Sequence, residues 1–385
     1  MANSFSDIAP KILARALPTL RQNAVFPRLV NTGYSLTPLQ KGLSVDIEVP
    51  VASTAAAITA SNTPPSNTDS TPTVVQVTAD QWYGAAFHLS DKDRQQINDN
   101  EQFVPPKMAE AVKAITNNVD AAVAALYKDV YNASGTAATT PFADTAALKA
   151  GWTAGARKFL NTNLAPFDNR NIVLDVEAEA NALSLSEFQA VDKRGDAGGI
   201  INGEIGYKLG AGWFLDQNIA SHTSGTLTNG SGMLAKVNDA SYTVGESTVD
   251  IDDTSLSGTV VIGDLFTVAG DTQVYTVTAN ATAAGNAIAG MAFTPTSKVA
   301  WADNAVITFK ASHTANLAFH RDAFALVTAP LESGGMGDIM SIQDPVTGLI
   351  LRLEQRRDYK QTTWEFDILY GVKTVRPELA ARILG

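Results

Sequence analysis

Apolar residues recur along this chain at two spacings, and the changes between them mark out the elements. Ile8, Ile12, Leu13, Ala16 and Leu20 fall at roughly helical steps, which predicts a short amphipathic helix over 8–20 with Pro10 accommodated in its first turn. Phe26, Pro27 and Leu29 follow it, and a segment this apolar needs cover, from its own core or from a neighbouring chain. Val45, Ile47 and Val49 instead alternate with Asp46 and Glu48, the period-2 signature of a half-buried strand. Residues 74–77 and 87–89 are candidates for the strands that return beside it. The stretch 52–72 is rich in Ala, Thr, Ser, Asn and Pro, including Pro64, Pro65 and Pro72, so an extended two-stranded excursion with a loose tip is expected. A free two-stranded ribbon is marginal in water, and this one should gain stability by lying on another surface.

The strongest helical signal runs over 107–131. Met108, Val112, Ile115, Val119, Ala122, Leu126 and Val130 repeat at steps of three or four, with no Pro or Gly inside the segment. One helix is predicted, on the order of 40 Å long at 1.5 Å per residue, with Val112, Val119 and Leu126 on its core line. Beyond a Ser/Gly/Ala/Thr linker at 133–140, Leu148, Trp152, Ala156, Phe159 and Leu160 predict a second helix. A short strand over 171–176 and a further helix-like stretch over 177–190 complete a mixed α/β unit. From about residue 224 the chain turns to Gly, Thr, Val and Asp, with candidate strands at 259–262, 265–268, 274–278 and 306–309 between turn signals. A small β module is expected there. Afterwards 318–331 returns to apolar periodicity, and 349–354 pairs with 363–370, where Trp364, Phe366, Ile368 and Tyr370 alternate with Glu365, Asp367 and Leu369.

Composition bounds what this arrangement can do. At 385 residues, 45% hydrophobic and 17% charged, the chain can bury a substantial core and is expected to form two or more packing units. Its formal charge of −11 disfavours tight wrapping around a phosphate backbone; it is compatible with the wall of a container that leaves DNA free to move but does not select one. The segment 241–309 holds one basic residue, Lys298, against seven acidic ones, so the β module should be a solvated, outward-facing insertion. The absence of cysteine excludes disulfides, thiolate metal ligation and a cysteine nucleophile. No secretory signal or uninterrupted apolar span is read, and folding in a cytoplasm without membrane insertion is the expectation.

Candidate chemistry is sparse. His88, His222, His313 and His320 form no zinc-protease spacing, and Ser221 beside His222 lacks a nucleophile elbow. The Gly-rich segments 195–206 and 334–337 lack the dinucleotide fingerprint and the phosphate-binding lysine. Asp252-Asp253 reads as a solvated strand end, and the Arg-Gly-Asp tripeptide at 194–196 as a structural loop. Basic residues gather late, at Arg352, Arg356, Arg357, Lys360, Lys373, Arg376 and Arg382, interleaved with Glu354, Asp358, Glu365, Asp367 and Glu378. This pattern suits internal or interfacial ion pairs better than a nucleic-acid track. Neither an enzyme nor a metal or cofactor site is expected.

Three late stretches carry a family resemblance: NLAFHRDAFALVTAP at 316–330, GLILRLEQRRDY from Gly348, and LYGVKTVRPELAARIL at 369–384. The opening MANSFSDIAPKILARALPTLRQNAVFPRLV joins them. The chain resembles the major capsid proteins of tailed phages with the HK97-like fold, especially P22-type coat proteins with an inserted β domain. That resemblance implies an α+β chain divided into an N-terminal arm (1–40), an extended loop (41–92), a peripheral domain with a spine helix (93–140), a first part of an axial domain (141–227), the inserted β-rich domain (228–309), and the remaining axial and peripheral strands (310–385). It implies self-assembly into pentamers and hexamers of an icosahedral shell around packaged double-stranded DNA, with scaffolding, portal and decoration proteins as partners and the virion capsid as location. Assembly contacts are expected from Ile8, Ile12 and Phe26 in the arm, Val45 and Ile47 in the loop, and Arg356, Arg357 and Arg376, with Val112, Val119 and Leu126 as spine core. The Thr/Gly-rich insertion keeps a phage decoration protein or β-rich adhesin open as an alternative, with an enzyme as a third reading.

Overall fold

The computed structural model describes residues 8–33, 43–51, 60, 72–92, 106–190, 203, 205–331 and 338–385. Within them the chain is α+β: two sheets and their helices share one hydrophobic core, a closed barrel has its own, and a hairpin leaves the body. The expected loose excursion at 52–59 and 61–71, the Gly-rich run at 195–202 and the glycines at 334–337 lie outside the described residues.

The seven-stranded sheet is built mainly from short strands, in the order Ala133–Gly135, Ala380–Leu384, His313–His320, Arg170–Leu174, Ala211–Leu215 and Gly206–Lys208, with Ser221–His222 paired to the end of His313–His320. Arg170–Leu174 runs parallel to Ala211–Leu215 and Ala133–Gly135 parallel to Ala380–Leu384; the remaining pairs are antiparallel. Ile172, Val173, Leu174, Leu317, Ala318 and Phe319 are all buried, the continuous apolar run expected of strands covered on both faces. The predicted helix after the linker begins where Asp144 accepts a hydrogen bond from the Ala147 N–H, but it widens into a π-helical stretch over Lys149–Ala156 before ending as Arg157–Thr162. There Gly155 approaches so closely that a Cβ would lie 2.5 Å from that of Ser134. Asp175, read as a strand end, caps the helix Val176–Ser184 through the Glu177 and Ala178 N–H groups.

The five-stranded sheet centres on the fourteen-residue strand Gln361–Thr374. Gln81–Ser90 covers one edge; the other edge is shared by Ile350–Asp358 and then Phe324–Ala329, and Asp338–Gln343 lies outside Ile350–Asp358. Sequence alternation places Trp364, Phe366, Ile368 and Tyr370 inside, and they are buried. Asp367 and Leu369, expected outward, are buried as well. Asp367 is held by Arg352, whose Nε donates at 2.8 Å, and by the Trp82 indole N–H at 2.9 Å.

The helix Pro106–Ala124 packs on this sheet through Met108, Val112, Ile115 and Val119. The predicted single helix to residue 131 instead tightens into a 3₁₀ turn over Ala125–Asp129. Three residues per turn rotate the core line forward, so Tyr127 is buried and Leu126, placed in the core by its spacing, is only partly covered. The N-terminal helix Ile8–Asn23 lays Ile12, Leu13, Ala16 and Leu20 against the same core. The hairpin pairs Ser44–Val49 with Thr73–Thr78; the proposed third strand around 87–89 belongs to the sheet instead. Ile47 and Val77 pack on Ala325 and Val327. The hairpin approaches here because Gly371 has no side chain: a Cβ would meet the Thr78 carbonyl oxygen at 2.0 Å.

The β module is a closed six-stranded barrel, in the order Thr248–Asp252, Ala287–Thr294, Tyr275–Val277, Leu265–Val268, Val306–Phe309 and Leu234–Val237. Closure leaves no open sheet edge. Phe266, Tyr275, Phe293 and Trp301 pack edge and face inside it, and Tyr242 stacks on Trp301 at 4.5 Å.

Candidate assembly surfaces

The chain enters the barrel after Ser221–His222 and returns to the body at His313–His320, and polar groups buried at this joint tie the two together. The His222 Nε2 lies 2.9 Å from Asp264 Oδ1 and its Nδ1 lies 3.0 Å from the Tyr127 hydroxyl. With Nε2–H donating to the carboxylate, a neutral imidazole leaves Nδ1 to accept from Tyr127. Asp264 also accepts from the Gly225 and Val261 N–H groups. Arg382, fully buried, donates to the carbonyls of Val130 at 2.7 Å, Lys128 at 3.2 Å and Gly263 at 2.8 Å, and to the Thr276 hydroxyl at 3.0 Å. One guanidinium therefore holds both the end of the long helix and two barrel loops or strands. His313 completes the cluster, 5.2 Å from His222 between ring centroids.

Hydroxyl, imidazole and carboxylate in sequence form the outline of a nucleophile relay, but this one cannot serve as one. Tyr127, His222 and Asp264 are all buried. Burial, the largest influence, raises the Tyr127 pKa above its ordinary value, the opposite of activation. Ser221 lies on the exposed strand position beside it, with its backbone paired to Thr314. Among the described residues no three His, Asp or Glu side chains are grouped to hold a metal ion, and no helix is long and apolar enough to cross a membrane.

The residues singled out from the sequence separate into covered and exposed sets. Ile12 and Phe26 are buried by the chain's own body, with Phe26 stacked on Phe319 at 6.1 Å; Ile8 begins the N-terminal helix, but its side chain lies outside the described residues. Val45 is half-buried and Ile47 buried at the hairpin base. Val112 and Val119 lie in the core. Arg356 is largely exposed near Asp358, Arg357 pairs with Asp91, and the Arg376 Nε donates to Glu378 at 2.9 Å. The three arginines sit in separate ion pairs and form no continuous basic track.

Several groups escaped the sequence reading. Asp120 is fully buried on the core side of the long helix and accepts from the N–H groups of Val25 at 3.3 Å and Phe26 at 3.1 Å. Burial first, and the nearby Asp216 charge second, push its pKa up to about 8 against the pull of those donors and of Arg28. Its place on the stripe between Val119 and Val123 is the signal that could have found it. Arg170 is buried too, and organises a loop by donating to the carbonyls of Ala165 at 2.6 Å and Pro166 at 2.7 Å and to Asn161 at 2.8 Å. That loop displays Leu164 and Phe167, 88% and 74% exposed, with the Arg170 guanidinium 4.7 Å from the Phe167 ring centroid. Arg170 also helps to line a cavity of about 590 Å³, with the exposed Tyr207, Phe214 and Leu215 on the same wall. Contiguous apolar side chains exposed to water are a mark of contact surfaces.

No protein-family model matches this chain, and no curated protein sequence matches it. Among solved structures, the fold is similar to one from Mycobacterium phage Che8, with 19% identity, 94% of this chain and 90% of that chain covered, and a TM-score of 0.50. Looser similarities extend to the capsid structure of the cyanophage P-SCSP1u, at 13% identity with coverage of 94% and 88% and a TM-score of 0.47. The mature capsid of bacteriophage PhiM1 is similar at 10% identity, with coverage of 94% and 87% and a TM-score of 0.46.

Proposed function

We propose that this chain is the major capsid protein of a tailed phage, a subunit of a closed icosahedral shell that encloses packaged double-stranded DNA. The observation that carries this reading is the fold shared with a solved phage structure along nearly the whole of both chains. The late sequence stretches and the opening segment support it independently, because they resemble the HK97-like capsid family.

On this reading identical chains form pentamers and hexamers, and small changes of angle between rigid parts let them close. The Ile8–Asn23 helix serves as the arm, the hairpin Ser44–Val49 and Thr73–Thr78 as the base of the extended loop, and Pro106–Ala124 as the spine. Ile12, Phe26 and Ile47, buried in their own subunit, anchor the arm and loop to it and leave Ile8 and the half-buried Val45 as contacts with neighbouring subunits, while Arg356, Arg357 and Arg376 select register by exchanging ion-pair partners. Leu164, Phe167 and Tyr207 add apolar contact. The barrel is the inserted domain of the P22-type coat proteins, and scaffolding, portal and decoration proteins are its partners in assembly within the host cytoplasm. The net charge of −11 keeps the wall from binding DNA tightly.

Sedimentation velocity of the purified chain, alone and with a candidate scaffolding protein, tests the reading. Capsomer-sized and shell-sized species are expected. A discrete monomer or trimer under both conditions would replace the shell-building role with that of a decoration protein or adhesin.

A further inference from the structure

The ten-residue strand Gln81–Ser90 pairs along one edge with Gln361–Thr374, and among the described residues no strand pairs with its other edge. Open edges of that length are ordinarily guarded by charge, proline or a bulge, because their free backbone groups invite another strand. This one has no such guard. Its sequence, QWYGAAFHLS, carries no Asp, Glu, Lys, Arg or Pro, and its register on Gln361–Thr374 runs from end to end without a bulge. Trp82 and Tyr83 are 62% and 47% exposed, and Gly84, Ala86 and His88 are exposed beside them. A groove of about 430 Å³ lies between the strand and the start of the helix Pro106–Ala124, with Ala85, Ala86, Phe87 and His88 on one wall and Lys107, Glu110 and Ala111 on the other.

The hydrogen-bond pattern decides which backbone groups are on offer. The Asp91 N–H donates to the Lys360 carbonyl, and along an antiparallel ladder the bonded positions alternate. The odd-numbered residues of the strand therefore bond toward Gln361–Thr374, while Trp82, Gly84, Ala86 and His88 turn their N–H and C=O groups to the open side. We propose that this edge pairs with the same edge of a second copy of the chain, antiparallel about a two-fold axis at Ala86, joining two five-stranded sheets into one.

Charge selects both the partner and the register. Asp80 precedes the strand and Lys92 follows it, both exposed, while Asp91 is already paired with Arg357. Centred on Ala86, the pairing brings Asp80 of each copy opposite Lys92 of the other, so opposite charges meet at both ends of an uncharged ladder. It also sets Gly84 opposite His88 and Trp82 opposite Ser90, a small residue against each large one. Opposite charges facing across strands favour a pair, and like charges oppose it. A two-fold contact is self-complementary and closed, so it uses up the edge and recruits no third chain. The inference concerns two copies of this chain and does not depend on shell formation.

Because the chain contains no cysteine, a single introduced thiol reports the contact. Facing Cα atoms of a hydrogen-bonded antiparallel pair lie about 5.5 Å apart, within the span of a disulfide. Full-length Ala86→Cys, oxidised in air with a copper catalyst at neutral pH and separated into free and particulate fractions, should give a disulfide-linked dimer in at least one fraction. His88→Cys lies on the same exposed edge, but its mate is four residues away along the strand, about 14 Å, and the link should be lost. Asp80→Lys in the Ala86→Cys chain should lower the yield several-fold, and adding Lys92→Asp should restore it. No dimer from Ala86→Cys in either fraction, an equal yield from His88→Cys, or a yield indifferent to Asp80→Lys would overturn the proposal. Particles are scored separately in the same fractions: shells that form without the link at position 86 would remove this contact and leave the shell-building role standing.

Discussion

Arg382 has no carboxylate among its hydrogen-bond acceptors: its guanidinium is spent on three backbone carbonyls and one hydroxyl from the helix end and the barrel, above the face of Tyr127. Arg382→Met keeps the volume but strands these carbonyls without donors. A loss of about 3 kcal/mol is expected in equilibrium denaturation, together with faster hydrogen exchange at 263–264 and 276; unchanged stability and exchange would show that the joint is held by packing alone. Its sequence signal was a single charge inside the apolar run LAARIL. Periodicity assigns such a residue to the solvent face, because it cannot show that carbonyls from two distant segments, residues 128–130 and 263, converge on it. For Asp120 the apolar stripe between Val119 and Val123 marks the burial, but its partners are backbone N–H groups of another segment, and those leave no mark on a side-chain pattern.

Elements were legible where packing follows one regular period. The alternation from Trp364 to Tyr370 and the repeat from Met108 to Val119 both became a strand and a helix with the expected buried faces. Ala287–Thr294 was missed because it is bulged. Val249 pairs with Met291 but Ile251 with Ile288, so an extra residue at Ala289-Gly290 breaks the alternation, and Gly290 adopts φ +62° with its N–H on Asp250. The barrel itself has a separate core, and its ends meet where the Ser224 and Ser312 hydroxyls lie 3.0 Å apart. Residues 224–312 expressed alone should therefore unfold cooperatively with a strand-type circular dichroism spectrum; a disordered spectrum would show that the body is needed to close it. The joint beneath the barrel is expected to respond to acid. Burial, with Arg382 and His222 adding to it against the Ala311 carbonyl, pushes the His313 pKa down to about 4 from 6.5. A depressed base binds its proton more readily when unfolded, so the joint weakens as the pH falls from 6.5 to 4. His313→Gln should flatten that part of the stability–pH curve, and an identical curve would remove His313 as the cause.

For the molecule as a whole, the parts suit a shell subunit in different ways. The body has one continuous core shared by both sheets, the barrel is a closed unit on a polar joint, and the hairpin is clamped at its base by Ile47, Val77 and the gap at Gly371. Composition alone reached an assembling protein of more than one packing unit, and resemblance supplied the shell. The exposed apolar surface was beyond the sequence, because Leu164 and Phe167 owe their display to Arg170 and not to a pattern. Electron cryo-microscopy of the expressed chain, alone and with a candidate scaffolding protein, tests the central claim most directly. The account predicts closed icosahedral shells whose repeating density fits this fold, with the barrel projecting from each subunit; discrete oligomers, or shells whose subunit density lacks the two-sheet body, would contradict it.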